Sequence, residues 1–466
     1  MRVSPFLVLL LTGCSLIPDY KRPALPVSAA WPMATPSGAI VTIIPWRGFF
    51  TDPAMQNLTA LSLANNRDLR VTVLNVSVAE AQYRVERASL FPAIDADADY
   101  SRTRIPAGFS AAPGAINASD YSLGVGAVSW ELDLFGRIRS QAQAAHETAQ
   151  ADADTSYAAQ ISLIAEINSE YLTWLADRDS LAITQSTAVA QADSLRLIQM
   201  QLSGGIGTAL DVAQAQSTLY SAQASIAQYT RQVAQDMDEL VLLAGAPIPT
   251  SLLAQMNAET GLDAVPAFPE LGAGLPADLL QRRPDILSAE HDLRAANANI
   301  GAARAAFFPE ITLTANGGVE SAGLSSLFNA AQGDWLFAPS LTLPIFNAGQ
   351  NFANLDIAKL QKRIEIATYE STIQSAFHDT ADALSARATY QDEMTAEQLL
   401  VSADTRNDQL SEMLFRSGTD GYLSVLVAKN ALLTARLTLV GIKLATLQNT
   451  INLYKSLGGG WQSEMP

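Results

Sequence analysis

The sequence predicts a mainly α chain carrying membrane-type β-strands, arranged as a tandem duplication in which each half holds two strands and a long antiparallel helical hairpin. Three observations lead there. Arg304-Ala-Ala-Phe-Phe-Pro-Glu-Ile-Thr-Leu-Thr-Ala copies Arg87-Ala-Ser-Leu-Phe-Pro-Ala-Ile-Asp-Ala-Asp-Ala, and Phe91, Leu132, Gly205 and Leu243 recur as Phe308, Leu343, Gly418 and Leu457, at offsets of 211 to 217 residues. The proline of each copy, Pro92 or Pro309, denies a helix an N–H, and apolar and polar residues then alternate as in a strand with two unlike faces. Both halves continue into Ala- and Gln-rich segments with no Pro and no paired Gly. As a helix, the first of these, from Arg137 to about Leu202, is roughly 100 Å long at 1.5 Å per residue, more than a globular core needs.

Composition narrows the function classes. A net charge of −17 with no basic stripe argues against nucleic acid as a partner. No uninterrupted apolar run of about 20 residues follows the N-terminal segment, so a membrane crossing has to be a closed barrel.

In chain order, residues 1–13 read as a signal peptide: Arg2, an apolar stretch from Phe6 to Leu11, then the lipobox Leu11-Thr12-Gly13-Cys14 around the sole cysteine. Cys14 is the expected lipidation site. Residues 14–45 form a Pro-, Ala-, Ser- and Thr-rich tether. The first repeat, 46–245, is expected to hold a helix from Pro53 to Leu90, strands 93–104 and 120–134, and a helical hairpin 137–245. A phase slip at Val128 to Trp130 reads as a bulge. Residues 246–275 are a linker, and the second repeat, 276–460, is expected to hold a helix from Pro276 to Phe307, strands 310–318 and 335–346, and a hairpin 349–457. A short tail, 461–466, ends the chain.

Asp95, Asp97 and Asp99 alternate with Ala96, Ala98 and Tyr100, as Thr312, Thr314 and Asn316 alternate with Leu313 and Ala315. These six polar residues are the candidate barrel lumen. Four strands cannot close a barrel, so a shared lumen needs several copies, and three chains would give twelve strands. The hairpin tips are marked by Gly204, Gly205 and Gly207 in one half and by Gly418 and Gly421 in the other. In the returning helices, Leu219, Ala222, Ile226, Tyr229, Val233, Met237 and Leu240 keep the 3.5-residue spacing of a left-handed coiled-coil seam. Leu433, Leu437, Val440, Leu444, Leu447, Ile451 and Tyr454 keep the same spacing.

The stretch Leu275-Pro-Ala-Asp-Leu-Leu-Gln-Arg-Arg-Pro-Asp-Ile286, followed by Leu293, Ala295-Ala-Asn297, Ile300-Gly301, Ala303 and Ala305-Ala-Phe-Phe-Pro309, carries a family resemblance. It is similar to the signature of TolC-like outer-membrane efflux lipoproteins of the NodT type, and Pro18-Asp-Tyr-Lys-Arg-Pro23 resembles their tether. The resemblance implies a homotrimer whose twelve-stranded β-barrel is continued by an α-helical barrel through the periplasm. It further implies a lipid anchor in the outer membrane and work with a periplasmic adaptor and an inner-membrane pump to expel toxic small molecules. In such proteins an aromatic and a basic residue on the second-half tip meet an aspartate on the first-half tip. The matching positions here are Phe415, Asp420 and Asp211, with Arg416 as a nearby base, and these four are the gate candidates. Asp211 reads equally well as a helix cap.

No enzyme is expected. His146, His291 and His378 stand far apart without metal-ligand spacing, and the glycine clusters lack the Lys-Ser/Thr of a phosphate loop. No metal or cofactor is expected beyond covalent lipid on Cys14. Two other readings stay open: a type I protein-secretion duct, and a structural envelope coiled coil.

Overall fold

The computed structural model describes residues 15–32, 39–40, 44–108, 114–274, 276–459 and 461. Cys14 and the signal segment lie outside the described residues. In chain order the elements are β1 (Ala39–Ile40), α1 (Trp46–Phe49), α2 (Pro53–Asn65), α3 (Arg67–Ala88), β2 (Asp95–Ile105), β3 (Ile116–Glu131), α4 (Arg137–Ser203) and α5 (Ala209–Ala244). There follow α6 (Thr250–Ala258), β4 (Leu271–Gly272), α7 (Leu279–Arg282), α8 (Pro284–Ala305), β5 (Glu310–Ser321), β6 (Gly333–Thr342), α9 (Gln350–Arg416) and α10 (Tyr422–Ser456). The duplication is visible in lengths: α4 and α9 both have 67 residues, and α5 and α10 have 36 and 35.

Several boundaries differ from expectation for identifiable reasons. The helix expected from Pro53 to Leu90 breaks at Asn66, whose Oδ1 accepts from the Leu69 N–H while its amide donates to the Leu243 carbonyl. The helix expected from Pro276 to Phe307 is interrupted at Arg283, because Pro284 disfavours helical geometry in the residue before it. The linker 246–275 is not structureless: α6 buries Leu252 and Met256, and β4 pairs in parallel with β1. Strand β5 runs on to Ser321 because Gly317 and Gly318 lie opposite Val125 and Gly124, whereas β6 ends at Thr342, ahead of Pro344.

Contacts divide the chain into two compact units, residues 1–24, 74–153 and 288–370, and residues 25–73, 154–287 and 371–466. In the first, all four long strands form one antiparallel sheet in the order β2-β3-β5-β6, so the two hairpins join through β3 and β5. Register slips between Ala127 and Trp130, where Ser129 adopts φ 53° and its N–H donates to Thr314 Oγ1 at 3.1 Å. In the second unit, Phe49 is stacked between Phe268 and Tyr454 at 5.1 and 4.1 Å, and Met55, Leu58, Leu172 and Leu175 are fully buried. Each such side chain contributes about 1.5–3 kcal/mol on burial.

The first-half seam, Leu219 to Leu240, is buried or half-buried at every expected position. In α10 the full burial near the tip falls instead on Tyr422, Val425, Ala428, Leu432 and Ala435, with Leu433 and Leu437 half-exposed. By length and composition α10 is apolar enough to cross a membrane, with an 18-residue window of mean hydropathy 1.5. The sequence reading, which sought an unbroken apolar run, passed over it. Its buried stripe packs within the chain, as in the core helix of a helical bundle.

Candidate functional site

The sheet segregates its residues by face. Because directly paired residues share a face, the rows Asp95–Gly126–Asn316–Leu336 and Asp97–Gly124–Gly318–Asp334 place Asp95, Asp97, Asp99, Thr312, Thr314 and Asn316 together on one side, with Leu336 an apolar residue among them. Asp120, Glu131, Glu310, Glu320 and Asp334, which the sequence reading did not single out, join them there. Their positions in the alternation were the available signal. The rows Ala96–Val125–Gly317–Trp335 and Ala127–Ala315–Phe337 build the opposite, apolar face. Both faces are largely open to solvent in the single chain, and β2 and β6 are unpaired edges.

The tips repeat one turn. In one, Ile206 and Gly207 donate to the Gln201 carbonyl; in the other, Thr419 and Asp420 donate to the Leu414 carbonyl. Gly205 and Gly418 take φ of 77° and 74°, which a side chain resists, and a Cβ on Gly207 would meet the Leu202 nitrogen at 2.9 Å. Gly204 and Gly421 carry no such demand: neither has a positive φ or a close backbone approach under 3.4 Å.

The four gate candidates are not brought together. Asp211 completes a capping box: its Oδ2 accepts from the Thr208 N–H and hydroxyl at 3.1 and 2.6 Å, and its own N–H donates to Thr208 Oγ1 at 3.1 Å. Phe415 packs against the buried cluster of Ile198, Ala215, Tyr422 and Val425, its ring 5.5 Å from Tyr422. Arg416 is paired with Glu412 at 2.7 Å, and Asp420 accepts from the Gly421 N–H at 2.7 Å. Among the described residues no hydrogen bond or ion pair joins any two of the four.

The tether and the signature stretch turn out to be one site. Residues 16–22 run along α8, with the Leu16 carbonyl accepting from Arg304 Nη1 at 3.1 Å and the Pro18 carbonyl from Asn297 Nδ2 at 2.8 Å. Ile17 packs against Ala144, Ala295 and Ala298. Gly301 permits this approach, since a Cβ there would come within 2.6 Å of Ile17 and 2.7 Å of Ser140. Glu290, with a side chain 3% exposed, accepts from Tyr20 Oη at 3.2 Å, from Arg22 Nε and Nη2 at 3.2 and 2.7 Å, and from Arg294 Nη2 at 2.7 Å. Burial by itself would raise Glu290, but hydrogen bonds from Arg22 and Arg294 and their charges outweigh it and hold the carboxyl below its ordinary range.

A further acidic group lies between α4 and α5. Burial, then the charges of Asp236, Glu239 and Asp177, push Glu170 up to about 7; burial, then Asp177, pushes Asp236 up to about 6. Each histidine has a partner of its own: His146 meets the Tyr83 ring at 5.0 Å, His291 Nδ1 lies 2.7 Å from Glu147, and exposed His378 lies 3.4 Å from Asp382. Among the described residues no group of three or more His, Cys, Asp or Glu is disposed to hold a metal ion.

Comparison with known proteins agrees with this geometry. The family model for the outer membrane efflux protein matches residues 58–246 and 275–459, one match per repeat. The antibiotic efflux pump outer membrane protein ArpC of Pseudomonas putida is 45% identical over 461 residues, 98% of this chain and 94% of that protein. The toluene efflux pump outer membrane protein TtgC, also of Pseudomonas putida, matches to the same extent. The open-state crystal structure of the Neisseria gonorrhoeae MtrE outer membrane channel superposes with a TM-score of 0.88 at 36% identity, covering 96% of this chain and 99% of that one. With its duplicated TolC-like fold, the chain belongs to the outer membrane efflux protein family and is an outer-membrane exit duct of a tripartite efflux system.

Proposed function

We propose that three copies of this chain, each acylated at Cys14, close a twelve-stranded barrel around the acidic sheet face and conduct small toxic compounds passively outward. The observation that carries this reading is the four-stranded sheet with one carboxylate-lined face, one apolar face and two unpaired edges. Such a sheet satisfies its edges and both faces only by closing on copies of itself in a bilayer. A periplasmic adaptor and an inner-membrane pump supply the cargo and the energy, and the chain itself carries out no catalysis. The relatives named for toluene and for antibiotics point to apolar and amphipathic small molecules as cargo.

At the periplasmic end, Asp211 and Asp420 of three chains would bring six carboxylates towards one axis, making an acidic, cation-attracting constriction. At about 8 Å, each like-charged pair costs roughly 0.5–2 kcal/mol between effective dielectrics of 80 and 20. The test is single-channel recording in planar bilayers. The parent is expected to form cation-selective channels, and the Asp211→Asn, Asp420→Asn variant to lose part of that selectivity. A parent that never conducts overturns the duct; unchanged selectivity and closed-state conductance in the variant remove these carboxylates from the gate. Acyl labelling of the parent but not of a Cys14→Ser variant tests the anchor.

A further inference from the structure

The charged residues of the four long strands are sorted by face without exception. All the carboxylates lie on the polar face, and no Lys or Arg accompanies them there. The two arginines of the strands, Arg102 and Arg104, lie on the apolar face, in register with Ser119 and Asn117 and in line with Ala96, Ala98 and Tyr100. Both are exposed, and among the described residues neither forms an ion pair. Their place along the strand is equally defined. Strand β3 leads into α4 at one end of the sheet, so the end of β2 that carries Arg102 and Arg104 is the opposite one, which is the extracellular end when α4 runs into the periplasm as proposed above. Tyr100 and Tyr121 pair across the strands just before them, ring centroids 4.6 Å apart. Aromatic residues mark the level at which a barrel wall leaves hydrocarbon for headgroups. At about 3.3 Å per residue, Arg102 and Arg104 stand roughly 7 and 13 Å further along the strand.

A guanidinium on the lipid-facing side, one or two rows above an aromatic girdle and with no carboxylate on its face, is matched by an anion at headgroup depth. We propose that Arg102 and Arg104 form a binding site for the phosphate groups of outer-leaflet glycolipid. Ser119 and Asn117, directly opposite on β3, supply further hydrogen-bonding groups. The site rests on the reading of the sheet as a lipid-embedded barrel wall, with the apolar face outward. It would fix the depth of the barrel from the extracellular side.

The experiment uses the full-length protein reconstituted in phosphatidylcholine vesicles doped with bisphosphorylated lipid A, with retained lipid A counted by native mass spectrometry after washing. Each arginine near a charged lipid surface contributes about a fivefold factor, so Arg102→Ser, Arg104→Ser should retain lipid A about thirtyfold less well than the parent. Arg102→Lys, Arg104→Lys, which keeps the charges, should stay within a few-fold of the parent. Dephosphorylated lipid A should bind parent and Ser variant alike, and inorganic phosphate should not displace the bound glycolipid. Equal retention of bisphosphorylated lipid A by parent and Ser variant overturns the site, and displacement by inorganic phosphate overturns the lipid assignment. A Glu320→Gln variant on the other face should retain as much lipid as the parent; higher retention, from the loss of a carboxylate that repels phosphate, would mean the faces are reversed. Conductance in undoped phosphatidylcholine is read separately: parent and Ser variant both conducting upholds the barrel whatever the lipid result, and a silent parent strikes the barrel itself.

Discussion

Replacing Glu290 by Gln should release the tether from α8 without disturbing the rest of the chain. The side chain keeps its volume, but an acceptor of four hydrogen bonds from Tyr20, Arg22 and Arg294 becomes an amide with one accepting oxygen and an NH2 facing two guanidinium groups. Hydrogen bonds to a charged group contribute about 1.5–3 kcal/mol. Arg22 is 43% exposed and partly screened by solvent, so the lower part of that range, about 2 kcal/mol, applies. A loss of that size raises the population of undocked tether about thirtyfold. Trypsin reads this population through the Lys21–Arg22 bond, since Arg22–Pro23 resists it and cleavage follows the open fraction when reclosing is fast. An increase in cleavage rate of about thirtyfold is expected. The pH dependence carries a sign as well. Glu290 is held below its ordinary value, so its stabilisation is present above the ordinary carboxylate range and is lost as pH falls through the folded value. Amide exchange over residues 16–22, corrected for intrinsic rates, should therefore rise on acidification in the parent and not in the Gln variant. Cleavage within twofold of the parent, or an identical pH response, would refute the clamp.

Leu313→Lys should insert into membranes far less well than Thr314→Lys, because register puts Leu313 opposite Trp130 and Pro339 on the apolar face, where a midplane Lys costs about 2–4 kcal/mol. Equal yields would mean the faces are misassigned. In the α4–α5 acidic group, both raised carboxyls favour the protonated fold, so stability there is greatest below pH about 4 and falls as pH rises through about 6 and 7. Glu170→Gln should flatten this fall in thermal melts between pH 5 and 8, and an unchanged slope would place the titration elsewhere.

Much of the candidate site was legible in the sequence because its signals are local. Alternation at period two placed Asp95 to Asp99 and Thr312 to Asn316 on one face of each strand, and the glycines at 205 and 418 marked the left-handed turns. The phase slip at Val128 to Trp130 showed where the ladder bulges. The capping and gating readings of Asp211 were both visible in its position after Thr208, and the cap is what the chain displays. The break at Asn66 was missed because its cause is the Leu243 carbonyl on another helix.

The sequence by itself determined where the four long strands and the long helical hairpins lie and which residues share a strand face, since each follows from spacing along a continuous segment. Only the tertiary structure decided that β3 of one half pairs with β5 of the other, which brings the two polar faces into one surface. It also decided what the signature stretch is for. Glu290, Asn297, Gly301 and Arg304 recur along α8 as charge, amide, gap and charge, and that order has meaning only against a tether 268 to 288 residues away. Local periodicity reports the geometry of one element, whereas a buried carboxylate or an open space above a glycine is explained by whichever segment the fold lays against it.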